Sequence, residues 1–298
     1  MTGFFRILTP SRLINDLFNR WQSGIVRIVL GVEYDGSAYA GWQWQPGRRS
    51  IQAELELALS KVADQPVTVV CAGRTDAGVH AAEQIVHFDV NVERDLHAWL
   101  MGGNTYLPAD IRIIWAKNAS NGFHARYSAI ARLYRYVIFN RAVKSALMDK
   151  QVTWCYRPLN AELMHNSAQT LVGNHDFSSF RAQGCQSRSP FRIVYFIDVY
   201  RDHDKVVIEI CANAFLHHMV RNIAGVLMTI GAGKQPQDWA ATVLAAKKRA
   251  LAGVTAPPEG LYLLAVYYPD SYGLPVHSAF NKLPGDATRY DQSAVAEL

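Results

Sequence analysis

Residues 71–80, with the sequence CAGRTDAGVH, place one carboxylate, Asp76, on a tight turn directly after an apolar, β-branched run. The run over residues 67–72 predicts a buried strand, and the glycines on either side of Asp76 supply the backbone freedom of a sharp turn. Arg74 could hold the carboxylate ionised or meet an anionic substrate, because a guanidinium stays charged and binds carboxylate or phosphate in a fork. From the local sequence alone an ordinary Asx-type turn is favoured, and a displayed catalytic carboxylate is the alternative.

A second pattern combines positive charge with aromatic rings. The stretch between Ile111 and Met148 contains no acidic residue. Its positive residues are Arg112, Lys117, Arg126, Arg132, Arg135, Arg141 and Lys144, and its interleaved rings include Phe123, Tyr127, Tyr134 and Tyr136. Cations that neutralise phosphates beside rings that stack on bases are typical of an RNA-binding surface. The alternative is a solvated strand face whose tyrosines belong to the core.

A third cluster, residues 217–221 (HHMVR), is predicted to lie on a long apolar helix. Adjacent histidines point about 100° apart on a helix, so they are not expected to chelate one metal ion, and a structural or RNA-facing role is favoured. Arg221 is a charge in an apolar helix and needs a carboxylate partner, for which Asp76 is the candidate.

The whole composition is compatible with these interpretations. The 298 residues are 50% hydrophobic, with a net charge of +5 and a pI near 9.0, which favours a globular protein with a polyanionic partner. The four cysteines are too far apart for a CxxC-type metal site and suggest reduced thiols in the cytoplasm. No run of about 20 apolar residues predicts a membrane span, and no signal-peptide pattern opens the sequence.

The elements that must position these residues occur twice in one order. A strand over residues 26–34, a helix from residue 51, the strand before Asp76 and a partner strand over 84–90 are followed by a further helix and strand. The second half repeats the order, and the apolar stripe of its last helix ends at Gly231. We therefore predict an α+β fold of two ferredoxin-like halves with pseudo-twofold symmetry, a mainly antiparallel sheet, helices on one side and an RNA-binding cleft on the other.

Four segments follow from this organisation. Residues 1–24 form an N-terminal extension that includes an amphipathic helix, and residues 25–118 form an N-terminal α+β domain that carries Asp76. Residues 119–270 form a C-terminal α+β domain, and residues 271–298 form a polar tail.

Taken together, several motifs resemble the bacterial tRNA pseudouridine synthase A family, TruA. The resemblance runs from about residue 25 to residue 270. The motifs are residues 73–80 (GRTDAGVH), 32–36 (VEYDG), 41–43 (GWQ), 123–126 (FHAR), 217–222 (HHMVRN) and 260–263 (GLYL), with Arg132 and Tyr134.

The resemblance implies isomerisation of uridine to pseudouridine at positions 38, 39 and 40 of the tRNA anticodon stem-loop, by a cytoplasmic homodimer without metal or other cofactor. The family's nucleophile falls on Asp76, its base-flipping arginine on Arg74 and its active-site tyrosine on Tyr134. Its active-site arginine falls on Arg221 and its hydrophobic pocket residue on Leu263. Its tRNA contacts fall on Arg94, Phe123, His124, Ala125, Arg126, Tyr127, Gly184, Cys185, Gln186, Ser187 and Arg188.

Two other classes of function are compatible with the sequence. A noncatalytic tRNA-binding or chaperone module needs only the basic surfaces, with Asp76 as a turn residue. A metal-independent nuclease would use His80 or His217 as its base.

Overall fold

The computed structural model of the chain describes residues 24–120 and 122–275. Its strands are Val26–Tyr34 (β1), Val70–Cys71 (β2), His80–Val90 (β3), Ile111–Ala119 (β4), Ala131–Asn140 (β5), Thr153–Cys155 (β6), Gly173–Asp176 (β7), Phe191–Asp202 (β8), Lys205–Ala212 (β9) and Leu261–Tyr267 (β10). Its α-helices are Ile51–Ala63 (α1), Gly103–Tyr106 (α2), which continues a π-helical turn over Ala98–Gly102, Ala161–Ala168 (α3), Met219–Gly231 (α4) and Trp239–Ala246 (α5). Short 3-10 turns occur at Gly36–Ala38, Gln169–Leu171, Ser178–Phe180, Arg249–Leu251 and Asp270–Tyr272.

All ten strands join one sheet in the order β4-β1-β3-β10-β5-β9-β8-β7, with β2 beside β3 and β6 beside β5. Within the first half the order is β4-β1-β3-β2, and within the second it is β10-β5-β9-β8. Each half thus places its first strand between its fourth and third, with a helix after its first and third strands, as a ferredoxin-like unit does. The predicted α+β fold with a mainly antiparallel sheet is confirmed.

Local sequence explains the first helix of each half. The Ser50 hydroxyl accepts a hydrogen bond from the backbone of Ala53 at 3.3 Å and caps α1. Asn160 caps α3 in the same way, through the backbone of Leu163 at 2.9 Å. The apolar residues of α1 recur every three or four positions and are buried against the sheet.

The helices cover one face of the sheet around the centre of the molecule. Tyr134 and Leu263, which are paired in register on β5 and β10, belong to the same apolar cluster as the buried residues of α1, α3 and α4. A smaller apolar cluster, with Leu133 and Cys211, lies on the opposite face of these strands. Because Tyr134 and the helices share a face, the catalytic candidates lie between the helices of the two halves and not, as predicted for the cleft, on the face opposite them.

The two halves meet through β3 and β10. These strands pair in parallel over two positions, His80 with Tyr262 and Ala81 with Leu263. Sequence patterning did not indicate β10 as a strand. The pseudo-twofold relation of the halves and the boundaries of the two domains remain predictions.

Three further predictions concern the cysteines, membrane-spanning helices and the two terminal segments. The cysteines are free thiols, and Cys71 and Cys211 are buried. None of the described helices is long and apolar enough to cross a membrane. The expected amphipathic helix within residues 1–24 and most of the 271–298 tail lie outside the described residues.

Candidate active site

Buried polar side chains hold the turn that carries Asp76 through hydrogen bonds. The Tyr34 hydroxyl bonds to the Thr75 hydroxyl at 2.8 Å, and the Gln84 amide donates to the carbonyl of Gly73 at 2.6 Å. Both supporting side chains are buried, and they come from adjacent strands of the first half, β1 and β3. These two side chains therefore fix the backbone that leads into Asp76, while the carboxylate itself remains partly exposed.

Three nitrogen-bearing side chains converge on this carboxylate. Arg221 Nη1 donates to Asp76 Oδ2 at 2.9 Å, which confirms the ion pair predicted from sequence. His217 Nε2 lies 3.4 Å from Oδ1, and His218 Nε2 lies 3.3 Å from Oδ2. Arg221 also donates through Nε to the carbonyl of Ala256 at 2.9 Å, so the guanidinium is fixed independently of Asp76.

The histidines do not lie on the helix, which corrects the prediction that they do. Helix α4 begins at Met219, and His218 has a left-handed backbone conformation with φ of 61°. This backbone turn brings the two rings to a centroid separation of 4.0 Å instead of letting them diverge around a helix axis. The geometric argument against joint coordination of a metal ion therefore fails, because it assumed a helical backbone.

A groove of about 1010 Å³ surrounds the carboxylate. The predicted site residues that line it are Arg74, Asp76, Arg126, Tyr134, Gly184, Cys185, Gln186, Ser187 and Arg221. Arg74 is exposed, and no ion pair links it to Asp76 within the described parts of the chain. Of the two arginines expected to pair with Asp76, Arg221 therefore forms the ion pair and Arg74 does not.

Other predicted site residues lie outside the groove lining. Phe123 and Ala125 are completely buried, and Phe123 packs against Tyr268 and Tyr272 with ring centroids 5.1 Å away. Leu263 is also buried, whereas Leu261 lines the groove. The predicted residues His124, Tyr127, Arg188 and Arg94 likewise do not line it.

The basic and aromatic stretch does not form one surface. Alternation along β5 sends Arg132 and Tyr134 to one face of the sheet and Arg135 to the other, where it pairs with Glu209 at 2.5 Å. Arg132 lines the groove but donates to four backbone carbonyl groups, those of Ala129, Asn213, Ala72 and Arg126. The role of Arg132 is therefore largely structural. The positively charged surface is smaller and less continuous than the acid-free stretch predicted.

Known proteins resemble this chain over nearly its full described length. The family model described as tRNA pseudouridine synthase matches residues 31–128 and 167–269. A protein named tRNA pseudouridine synthase A from Methylococcus capsulatus is 60% identical over 265 residues, which cover 89% of this chain and 98% of the relative. Proteins of the same name from Nitrosococcus oceani and Escherichia coli are 57% and 56% identical, over 84% and 85% of this chain and 96% and 94% of their own lengths.

The chain belongs to the tRNA pseudouridine synthase family. Family membership makes the protein an isomerase that acts on uridine in tRNA. The matched segments contain Asp76 and Arg221, whereas Tyr134 lies between them.

Sequence reasoning missed parts of the synthase's groove. Phe215 lies edge-on to Tyr134 with ring centroids 5.0 Å apart, and burial raises the pKa of the Tyr134 hydroxyl, so the phenol is protonated at neutral pH. His217 and His218 were singled out, but not as neighbours of Asp76. Their position three and four residues before Arg221 was the available signal, since Arg221 was already the expected partner of Asp76.

The turn that carries Asp76 packs closely against Gly41, and this contact provides a test of how the turn is positioned. Gly41 has φ of 97°, and an added Cβ would lie 2.8 Å from the carbonyl oxygen of Thr75. We expect Gly41→Ala to shift the turn, cost about 1–3 kcal/mol in free energy of unfolding and lower kcat more than tRNA affinity. Urea denaturation and single-turnover kinetics measure these effects. Gly47→Ala, also at positive φ but with open space around it, is the control, and equal kcat losses in both variants would contradict the positioning role.

A buried histidine that bonds to the 123–127 segment makes the stability of the fold depend on pH. Burial lowers the pKa of His87 to about 4, and His87 Nδ1 accepts a hydrogen bond from the backbone of Ala125 at 3.1 Å, which requires that nitrogen to be unprotonated. The unfolded chain has the ordinary histidine pKa of about 6.5. Between these values the unfolded state binds a proton that the folded state does not, so the stabilisation is complete above pH 6.5 and is lost towards pH 4.

We therefore expect wild type to lose about 2 kcal/mol of folding free energy through His87 as the pH falls from 7 to 4.5. The variant His87→Gln keeps an acceptor for Ala125 without titrating in this range. Urea denaturation of both proteins at several pH values should show their stability difference narrowing as the pH falls. A difference that stays constant would show that His87 does not titrate in this way.

Proposed function

We propose that the synthase converts uridine to pseudouridine at positions 38, 39 and 40 of the tRNA anticodon stem-loop, with Asp76 as the nucleophile. The observation that carries the proposal is the position of the Asp76 carboxylate, partly exposed in the groove and paired with Arg221 at 2.9 Å. The ion pair holds the carboxylate in place, and a carboxylate is one of the groups that act as enzymatic nucleophiles.

The reaction breaks the bond between ribose C1′ and uracil N1, rotates the uracil and joins C1′ to C5. C5 then loses its proton and N1 takes one up, so the product is an isomer of the substrate. Uracil is both the leaving group and the attacking group, so atoms and electrons balance without a redox partner, a metal ion or an activated donor. Asp76 acts either at C1′, releasing uracil, or at C6 of the base. Both routes need one carboxylate and a site that holds the rotating base.

Two groove residues would handle the base. A uridine must leave its stack before it reaches Asp76, at a cost of a few kcal/mol. Arg74 is exposed and lines the groove, and it would fill the vacated space. Tyr134 would stack on the flipped uracil, with its protonated hydroxyl available for proton transfer. Phe215 packs against the tyrosine ring in a T-shaped arrangement.

The surrounding tRNA would contact exposed residues of two segments. In the segment 123–127, Arg126 and Tyr127 are exposed, and their side chains lie within 5.7 Å in a cation–π arrangement. In the loop 184–188, Arg188 is exposed. Arg94 is an exposed cation farther along the surface. A cytoplasmic homodimer is part of the same proposal, since the family resemblance implies a second copy and the free thiols fit a reducing compartment.

The decisive experiment incubates the protein with unmodified tRNA labelled as [5-³H]uridine. Tritium release with intact strands, followed by mapping of pseudouridine to positions 38–40, is the expected result. Strand cleavage would favour the nuclease, although His80 is buried and hydrogen-bonded to the carbonyl of Lys150 and so is a poor candidate for its base. Tight binding without release or cleavage would favour the noncatalytic module.

A further inference from the structure

The carboxylate of Asp76 and the rings of His217 and His218 form a group of potential metal ligands. One oxygen of the carboxylate and one nitrogen of each ring all lie within 4.8 Å of one another. We propose that these three side chains bind a Zn²⁺-type divalent cation, and that the bound cation reversibly inhibits the synthase.

The distances are compatible with a shared zinc ion. Zinc binds histidine nitrogen and carboxylate oxygen at about 2.0–2.2 Å in tetrahedral sites. Two ligands at that bond length are then separated by about 3.3–3.6 Å along a tetrahedron edge. The nitrogen–oxygen separations here are 3.4 Å from His217 to Oδ1 of Asp76 and 3.3 Å from His218 to Oδ2. Because these are the two different oxygens of the carboxylate, and the ligand atoms lie within 4.8 Å of one another, a rotation of the carboxylate or of a ring brings all three onto one ion.

The ligand set is accessible and selective. The side chains of Asp76, His217 and His218 are 26%, 47% and 28% exposed, and all three line the groove, so an ion can reach them from solvent. Three protein ligands leave the fourth position to water on the groove side. Magnesium prefers oxygen ligands and holds its waters, so the Mg²⁺ that accompanies tRNA should not fill a site with two imidazoles.

Arg221 opposes the cation and limits its affinity. Its guanidinium already neutralises Asp76 at 2.9 Å, so an added cation experiences like-charge repulsion at short range. Binding is thus expected to be weak enough to reverse with a chelator. The binding itself is independent of the proposed function, whereas inhibition rests on the proposed role of Asp76, which the ion would occupy in place of the uridine.

Binding is tested without tRNA, by calorimetric titration with Zn²⁺ and by the visible absorption of Co²⁺. We expect micromolar affinity in wild type and a loss of at least about tenfold in His217→Ala and in His218→Ala. Arg221→Gln should tighten binding by about tenfold, because it removes the competing cation. His203→Ala is the matched control, since His203 is 98% exposed and lies 3.9 Å from Asp202 outside the groove. Circular dichroism verifies the fold of each variant.

Zinc affinity is expected to rise in Arg221→Gln and to fall in the two histidine variants. This pair of opposite changes distinguishes a specific three-residue site from nonspecific binding of zinc to surface histidines. Equal affinities in wild type, both histidine variants and the control would overturn the proposal. Inhibition is then measured by tritium release with wild type, where Zn²⁺ should compete with tRNA and EDTA should restore full turnover. Zinc binding without competition would overturn the inhibitory part, whereas an enzyme inactive even with EDTA would instead contradict the proposed function.

Discussion

The variant Asp76→Asn is expected to form pseudouridine at least about 10⁴-fold more slowly than wild type while binding tRNA within about threefold of wild type. The amide has nearly the shape of the carboxylate but cannot attack carbon, and removal of a nucleophile costs several orders of magnitude in turnover. Binding depends on the basic residues around the groove, which the substitution leaves in place. Tritium release measures turnover, and filter binding measures affinity.

The control for this variant is Asp204→Asn. Asp204 also faces an arginine, Arg141, at 3.7 Å, but it is exposed and lies outside the groove lining. The control should retain full turnover. Near-normal tritium release by Asp76→Asn would end the assignment of Asp76 as the nucleophile, whatever the affinity for tRNA.

The second large effect is expected at Arg221. Replacing it with glutamine should lower kcat by about 10²–10³-fold, the range seen when one preorganised charge-stabilising donor is removed from an active site. The loss has two physical sources: Asp76 loses its ion pair at 2.9 Å, and the Ala256 carbonyl loses its donor. Lysine restores the charge but cannot reach both partners in the same fork, so Arg221→Lys should recover only part of the activity.

The comparison that isolates this effect is Arg135→Gln, which disrupts a charge pair with Glu209 on the opposite face of the sheet. Both glutamine variants should be less stable, but only the change at Arg221 should reduce single-turnover rates. If Arg221→Gln reduced stability alone, with kcat unchanged, the guanidinium would have no part in the chemistry.

Much of the architecture followed from periodicity. Alternation along β1, β5 and β9 and helical spacing in α1 and α4 are strong local signals, and their repetition gave the two ferredoxin-like halves. The pairing of Asp76 with Arg221 also followed, because a lone charge in an apolar helix requires a counter-charge. These inferences depend on residue type and spacing, which do not need tertiary information.

Features that depend on single backbone torsions or on burial could not be derived. A left-handed His218 has no strong sequence marker, so the start of α4 was placed too early and the convergence of both imidazoles on Asp76 was missed. Likewise, all four residues of the motif at 123–126 were expected to contact tRNA. The structure buries Phe123 and Ala125 completely, and what remains available to a substrate is chiefly the exposed Arg126.

The position of β10 has a consequence for synthesis of the protein. This strand is the last among the described residues, yet it is inserted between β3 and β5 at the centre of the sheet. On a ribosome, residues 25–120 can leave the exit tunnel and form their own strands, but the two halves cannot be joined until residues 261–267 have emerged. The groove is therefore completed only after β10 has been synthesised, and a nascent chain that stops before β10 carries Asp76 and Arg221 without the strand that brings their halves together.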